Sequence, residues 1–270
     1  METGLTKKRG ENLGRLVEIM EVLRGENGCP WDREQTLQSL KPYAIEETYE
    51  VLEAIDENDM DKLQEELGDL LLQIVFQTQL AAEKGAFTMN DVIDGIADKL
   101  IRRHPHVFAA TKVDGVAGVL ENWDKIKKQE KPMARESVLD GIPKDLPALQ
   151  KAEKIQSKAA KVGFDWGNLE GPLQKAKEEF GEFEELLDPA HLPAPGTPAW
   201  DRLEDEFGDI LFSLVNVARF LQIRSELALR RTIAKFYSRF RYMEAEAAKQ
   251  ERSLKEMTLA EMDLLWEQAK

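Results

Sequence analysis

The sequence has 270 residues, a length that suits one large domain or two small ones. Its 51 acidic and 37 basic side chains give a formal net charge of −14, which argues against nucleic acid or an anionic membrane as the main partner. The single cysteine, Cys29, excludes an intrachain disulfide and a cysteine-rich zinc site, so we expect a cytoplasmic protein.

The sequence predicts neither a secretory leader nor a membrane anchor. Residues 1–11 are polar and lack the apolar core of a signal peptide. The longest apolar stretches, residues 70–76 and 210–217, are interrupted by polar side chains. Both are much shorter than the ~20 residues that a membrane-spanning helix needs.

The predicted elements are helices throughout, which indicates an all-α fold. In chain order, apolar residues recur at helical spacing most clearly over residues 63–78 and 203–218. Two helix starts have a threonine followed three residues later by an acidic residue, as in a capping box: Thr88 with Asp91, and Thr258 with Glu261. Glycine and proline predict breaks at residues 28–30, 85, 140–147 and 188–198. No run of alternating β-branched residues predicts a strand.

The second half of the chain repeats five landmarks of the first half in the same order. The landmarks are a tryptophan beside an aspartate, Glu-x-x-Glu, Glu-x-x-Asp, a basic pair four residues apart, and a second tryptophan. In the first half they are Trp31-Asp32, Glu47 with Glu50, Glu66 with Asp69, Lys99 with Arg103, and Trp123. In the second half they are Asp165-Trp166, Glu179 with Glu182, Glu206 with Asp209, Lys235 with Arg239, and Trp266. The repeat predicts tandem duplicated helical-bundle domains at residues 1–130 and 151–270, with a linker at 131–150.

The spacing of the carboxylates predicts a cation site in each copy. Glu47 and Glu50 share one helix face, as do Glu66 and Asp69 on the next helix. A short turn near residues 58–60 makes these helices antiparallel, so all four carboxylates converge. Without compensation, such crowding is unfavourable by several kcal/mol, and a hard divalent cation such as Mg²⁺ relieves it.

Acidic pairs at helical spacing also occur on solvated helix faces. A lone Glu-x-x-Glu usually belongs to such a face, but here the whole pattern occurs twice beside apolar residues. Gly68 and Gly208 lie mid-helix within the second pair, where glycine costs about 1 kcal/mol. Either tight helix packing or close approach of a backbone or ligand would explain them. A di-iron bundle would need Glu-x-x-His, and no histidine lies three residues after a glutamate.

Two further motifs accompany the repeated carboxylate pairs: Gly28-Cys29-Pro30-Trp31-Asp32 and the segment 102–108. Together, these motifs resemble the MazG family of nucleoside triphosphate pyrophosphohydrolases in its two-domain bacterial form. The resemblance implies an all-α homodimer whose subunits both contribute helices to each site. It also implies Mg²⁺, with Mn²⁺ as a possible substitute, and cleavage of NTPs to NMP and pyrophosphate. The implied metal ligands are Glu179, Glu182, Glu206 and Asp209, and in the first copy Glu47, Glu50, Glu66 and Asp69. Lys235, Arg239 and Trp266 match positions around the triphosphate and the nucleotide.

The residues suggest how such a reaction proceeds. A metal-activated water would attack the α-phosphorus in line, oriented by Glu178 or Glu182, and the sequence does not decide between these two. Lys235 and Arg239 lie one helical turn apart and can both face phosphates, or can form a solvated basic patch. Trp166 and Trp266 can stack on a base, or can belong to the core.

The second copy is the better candidate for the active site. Asn216, a hydrogen-bonding residue, corresponds to Phe76 in the first copy, and Arg219 corresponds to Gln79. We therefore expect Asn216 to bind substrate and Arg219 to favour an anionic nucleotide. The first copy keeps every carboxylate, so a metal site, a second active site and a scaffold role all remain open. The alternative for the whole chain is a regulatory nucleotide-binding or scaffold protein without turnover.

Overall fold

The computed structural model describes residues 11–109, 111–130 and 137–270, and these residues contain no strand. The all-α prediction is confirmed. The helices of the first half are α1 (Glu11–Arg24), α2 (Pro30–Glu34), α3 (Lys41–Glu57), α4 (Met60–Ala82), α5 (Met89–Arg103), α6 (Pro105–Phe108) and α7 (Gly115–Gln129). Those of the second half are α8 (Ala148–Ala160), α9 (Glu170–Leu186), α10 (Pro198–Phe220), α11 (Ser225–Lys249) and α12 (Leu259–Gln268), with a 3₁₀ turn at Leu254–Glu256.

The chain divides into two compact units, Met1–Met133 and Ala134–Lys270. Part of the predicted linker, residues 131–136, lies outside the described residues, so its bounds stay a prediction. From residue 137 to 147 the chain forms turns, and the first helix of the second unit begins at Ala148.

The first unit is built on a hairpin of α3 and α4. Asn58 ends α3 in the left-handed conformation with φ of 56°, which an asparagine tolerates better than most residues. The next residue, Asp59, caps α4 by accepting hydrogen bonds from the backbone N–H groups of Asp61 and Lys62. The turn between the two Glu-rich helices therefore follows from two adjacent residues.

The core of the first unit lies between α1, α4 and the start of α3. Its buried apolar side chains are Met20, Leu40, Val75, Phe76 and Leu80. Because these residues come from three segments, packing against α1 holds the hairpin in place.

The second unit repeats this hairpin with α9 and α10. A longer connection, residues 187–197, joins the two helices, and its prolines keep it non-helical. Thr197 caps α10 by accepting a hydrogen bond from the Trp200 backbone N–H, and Pro198 occupies the first helical position. Helix α8 packs on α10, where Gln156 Nε2 donates to the carbonyl of Phe212 at 2.8 Å.

The two capping boxes predicted from sequence are present. Thr88 and Asp91 exchange hydrogen bonds at the start of α5. Thr258 and Glu261 do the same at the start of α12.

Both hairpins leave an apolar strip partly exposed on their second helix. The strip on α4 is Leu67, Leu71 and Ile74, and the strip on α10 is Phe207, Leu211 and Leu214. Gly68 and Gly208 lie beside these residues, and a Cβ at either position would meet nothing within 4 Å. Packing within the chain therefore does not explain the two glycines.

None of the helices in the described residues is long and apolar enough to cross a membrane.

Candidate active site

The first acidic group joins the two helices of the α3/α4 hairpin. One oxygen each of Glu47, Glu66 and Asp69 lies within 4.8 Å of the others. Burial raises the pKa of Glu47, and the charge of Asp69 and a hydrogen bond with Glu50 raise it further. The pKa of Glu66 is raised as well, first by burial and then by the charge of Glu50.

The second acidic group joins α9 and α10 in the same way. Glu179, Glu206 and Asp209 place one oxygen each within 4.8 Å of one another, and Glu179 is only 7% exposed. Glu182 lies beside them, and its pKa is raised by burial and then by a hydrogen bond with Glu179 and that residue's charge.

Three of the four predicted ligands thus lie together in each copy, and the fourth, Glu50 or Glu182, contacts one of the three. All donors are carboxylate oxygens, the set that Mg²⁺ and Mn²⁺ prefer. The pKa values of Glu47, Glu66 and Glu182 are raised first by burial and then by neighbouring carboxylates, and a divalent cation would offset this negative charge. The residues therefore fit such a cation.

Lys175 supplies a cation from the chain itself in the second copy, and sequence reasoning missed it. Its Nζ lies 2.8 Å from Glu179 Oε1 and 2.6 Å from Glu178 Oε1. The available signal was its position four residues before Glu179, on the same helix face. The corresponding position in the first copy is Tyr43.

A cleft adjoins the second acidic group. The residues that line it are Trp166, Pro172, Lys175, Glu179, Asp209, Phe212, Ser213 and Asn216. It thus brings four predicted site residues together: Trp166, Glu179, Asp209 and Asn216.

Trp166 forms one wall of this cleft and is 44% exposed, so the alternative of a core tryptophan does not describe it. Its ring packs directly against Gly171, where an added Cβ would lie 2.0 Å from Trp166 Cδ1. Only glycine leaves room for the indole in this position.

The corresponding place in the first copy is occupied by aromatic rings. Trp31 meets Tyr43 with ring centroids 6.0 Å apart and Phe76 with centroids 6.5 Å apart, both edge-on. Arg24 Cζ lies 5.6 Å from the centroid of Phe76. Tyr43 and Phe76 correspond to Lys175 and Asn216 of the second copy, so the first copy has apolar rings where the second has polar groups.

Arg219 forms an ion pair within the chain. Its guanidinium forms a bidentate ion pair with Asp165, with N–O distances of 3.0 and 2.5 Å. Asp165 therefore balances the charge of Arg219, and the expectation that Arg219 favours an anionic nucleotide stays a prediction.

The remaining predicted residues, Lys235, Arg239 and Trp266, form a separate group on α11 and α12. Arg239 Cζ lies 5.3 Å from the centroid of Trp266, a cation–π distance. None of the three is among the described residues that line the cleft.

The first copy has a corresponding cation–π contact, but its arginine also pairs with a carboxylate. Arg103 Cζ lies 6.0 Å from the centroid of Trp123. Arg103 Nε also donates to Glu130 Oε2 at 3.0 Å, and Arg102 pairs with the same carboxylate. Among the described residues, no carboxylate forms an ion pair with Arg239.

These features define a class of protein: a helical protein that gathers carboxylates from the two helices of a hairpin beside a cleft lined by Trp166 and Asn216. A family model described as the MazG nucleotide pyrophosphohydrolase domain matches residues 35–108. The chain is 47% identical over 264 residues to the nucleoside triphosphate pyrophosphohydrolase/pyrophosphatase MazG of Thermotoga maritima, covering 98% of each chain. It is 44% identical over 265 residues to the nucleoside triphosphate pyrophosphohydrolase of Escherichia coli K12, covering 96% of this chain and 97% of that one.

The chain belongs to the MazG family. A longer relative, the uncharacterized protein YabN of Bacillus subtilis, is 52% identical over 252 residues, which is 93% of this chain and 50% of that protein.

Proposed function

We propose that the protein is a Mg²⁺-dependent nucleoside triphosphate pyrophosphohydrolase that cleaves NTPs and dNTPs between the α and β phosphates, giving NMP and pyrophosphate. The observation that carries the proposal is the cleft of the second unit, where Trp166 and Asn216 lie next to the acidic group of Glu179 and Asp209. The two full-length relatives are named for this activity, which supports it.

The acidic group of the second unit would hold the metal, through Glu179, Glu206 and Asp209 with Glu182 beside them. Bound Mg²⁺, or Mn²⁺ in its place, would offset phosphate charge and lower the pKa of a coordinated water. Glu182 would accept the proton of the attacking water, since it contacts Glu179 of the acidic group, whereas Glu178 is paired with Lys175 and is not part of that group. We therefore favour Glu182 over Glu178 for this role.

Lys235 and Arg239 are the proposed phosphate-binding residues, and Trp266 contacts the nucleoside. Their support is the unbalanced charge of Arg239 beside Trp266, which contrasts with the pairing of Arg103 and Glu130 in the first copy. Because an acidic protein repels a polyanion, these few cations and the metal together make binding possible.

We also propose a homodimer in which the apolar strips on α4 and α10 pack against a second copy. Exposed apolar strips of this kind commonly mark interfaces. Gly68 and Gly208 would allow the close approach of a partner helix, since a Cβ added at either position would meet no described residue within 4 Å. The same interface would let α11 of one subunit serve the cleft of the other.

The two units are proposed to be copies of one duplicated helical domain. Their hairpins, acidic groups and Arg–Trp contacts correspond. The first copy has carboxylates that would hold a cation, but it has aromatic rings in place of a polar cleft, so we assign it a scaffold role. A cytoplasmic location agrees with the single free cysteine, Cys29.

Product analysis tests the proposal directly. The protein is incubated with each NTP and dNTP and Mg²⁺, and the phosphorus-containing products are separated. NMP and pyrophosphate in equal amounts are expected. Orthophosphate with NDP would instead indicate attack at the γ position, and binding without any product would favour the regulatory or scaffold alternative.

A further inference from the structure

An ion pair next to the cleft controls how Asn216 faces it. Asn216 is only 7% exposed and accepts a hydrogen bond at Oδ1 from Arg219 Nε at 2.8 Å. The other two nitrogens of Arg219 bind both oxygens of Asp165. Arg219 also lies over the ring of Phe220, with Cζ 4.6 Å from its centroid. The guanidinium is thus fixed from three sides.

The chemistry of arginine decides the orientation of the Asn216 amide. A guanidinium has only donors, so the amide atom that faces Arg219 must be the oxygen. The amide nitrogen, with its two N–H groups, therefore points away from Arg219, on a residue that lines the cleft. In the part of the chain that the structure describes, this nitrogen donates to no protein atom, so an acceptor on a ligand in the cleft would satisfy it.

The same ion pair also holds the aromatic wall. Asp165 Oδ1 accepts a hydrogen bond from the backbone N–H of Trp166 at 2.9 Å. The wall at Trp166 and the amide of Asn216 are therefore connected through one carboxylate and one guanidinium. The first copy lacks this arrangement, because Phe76 replaces the asparagine and Gln79, at the arginine position, donates to Glu83.

We propose that Arg219 and Asp165 are positioning residues that make Asn216 a fixed hydrogen-bond donor to the nucleobase. The inference rests on the proposed function, since it assigns base recognition to that cleft. A base that stacks on Trp166 and presents an acceptor, such as a ring carbonyl oxygen or an unprotonated ring nitrogen, satisfies the amide. A base that presents an amino group there leaves two donors facing each other, so the site selects among NTPs by this edge.

The first test is Asn216→Asp, which keeps an oxygen for Arg219 and replaces the donor with an acceptor. Affinity for the α,β-methylene analogues of ATP, GTP, CTP and UTP is measured by calorimetry, and kcat and KM are measured with the natural NTPs. For the preferred base we expect Kd and KM to rise about tenfold or more, as when a polar site loses its partner, with kcat nearly unchanged. Unchanged affinity for all four analogues would overturn the proposal.

The second test removes the positioning residue. Arg219→Met frees the amide to turn, so the ratio of kcat/KM between the preferred and the least preferred NTP is expected to fall towards one. Arg219→Lys still donates to Asn216 and is expected to retain more of this ratio, whereas a purely structural role would not distinguish them in this way. Gln79→Met, at the corresponding position of the first copy, is the matched control and is expected to leave the ratio unchanged.

If the ratio of kcat/KM between the preferred and the least preferred NTP stays within about twofold of wild type in Arg219→Met, the positioning role of Arg219 is contradicted. A twofold change corresponds to a smaller free energy than the net contribution of a typical hydrogen bond. If Arg219→Met does not fold, the same ratio is measured for Asp165→Asn and Asn216→Asp. A fall towards one in both variants supports the proposal, and an unchanged ratio in both contradicts it. A wild type that binds the analogues selectively but releases no pyrophosphate refutes the proposed function and leaves base selection supported. A wild type that binds all four analogues equally, or none, refutes base selection.

Discussion

Lys175 Nζ lies 2.8 Å from Glu179 Oε1, so the chain places its own cation against the most buried carboxylate of the second acidic group. The contact neutralises part of the charge that a metal would otherwise balance. Lys175 Nζ also lies 2.6 Å from Glu178 Oε1, so one lysine pairs with two carboxylates. The first copy has no counterpart, because Tyr43 occupies that position.

Replacing Lys175 with methionine should make stability depend more strongly on metal. Without metal, Glu179 loses its counter-charge, and we expect Tm in EDTA to fall by several degrees, as for a change of roughly 1 kcal/mol. With saturating Mg²⁺ the difference from wild type should shrink, because the metal takes over the compensation. Thermal unfolding in both buffers measures this.

The matched control is Lys249→Met, which breaks the exposed Lys249–Glu246 pair elsewhere in the second unit. Its effect should be small and equal in both buffers. An equal loss of Tm for Lys175→Met with and without Mg²⁺ would refute the link between Lys175 and the metal.

The raised pKa of Glu47 predicts a pH dependence without metal. The folded protein holds this proton more tightly than the unfolded chain, whose ordinary pKa is 4.5. Glu47 therefore favours the folded state most at low pH, and this contribution is lost as pH rises through 4.5 and above. Glu47→Gln has no carboxyl group that ionises at this position. In EDTA, the free energy of unfolding of the variant should therefore increase relative to that of wild type as pH rises.

Urea unfolding between about pH 4 and pH 8 measures this difference. The exposed Glu18, on α1, provides the control: Glu18→Gln should show no such gain. Saturating Mg²⁺ should reverse the advantage of Glu47→Gln, because the variant loses a ligand oxygen. A difference that is flat with pH in EDTA would contradict the geometry of the first acidic group.

A charge on the α10 strip should separate the proposed dimer. Leu211→Glu places an unpartnered carboxylate in an apolar contact, so we expect the dimer Kd to rise at least tenfold, an effect of about 1.4 kcal/mol. Light scattering after size-exclusion chromatography measures the mass. Leu192→Glu, in the exposed loop between α9 and α10, should leave the mass unchanged. A wild type that is monomeric at all concentrations would refute the interface.

The two equivalent arginines should differ in function. Arg239→Met removes a cation that no carboxylate of the described chain engages, so KM for NTP should rise about tenfold, a typical loss for one charged contact. Arg103→Met breaks the pair with Glu130 and should lower stability while KM stays near that of wild type. Steady-state kinetics and thermal unfolding of both variants make the comparison. Equal effects on KM would contradict the assignment of the second copy.

The helices and the acidic groups could be predicted from sequence because both depend on local spacing. Glu47 and Glu50 share a face in any α-helix, and the turn at Asn58 and Asp59 is encoded by adjacent residues. The rest depends on contacts between distant segments. Arg219 meets Asp165 only when α10 packs beside the loop before α9, so an arginine expected to attract an anion turns out to be balanced.

The same reason explains two further differences. Arg103 and Arg239 occupy equivalent sequence positions, but Glu130 lies near only one of them, and the pattern of the repeat does not carry that information. The spacing of residues 203–218 predicted a helix, but periodicity does not show that Leu211 would lie on an exposed second apolar face.

We propose that the second acidic group, beside its cleft, performs the hydrolysis, and equivalent variants of the two groups test this directly. Pyrophosphate release with saturating Mg²⁺ and NTP is measured for wild type, Glu206→Ala and Glu66→Ala, the equivalent residues of the two groups. Glu206→Ala is expected to lose about 10²-fold or more in kcat, as when a metal ligand is removed, while Glu66→Ala keeps most of the activity. Loss of activity in Glu66→Ala with Glu206→Ala still active would contradict the account.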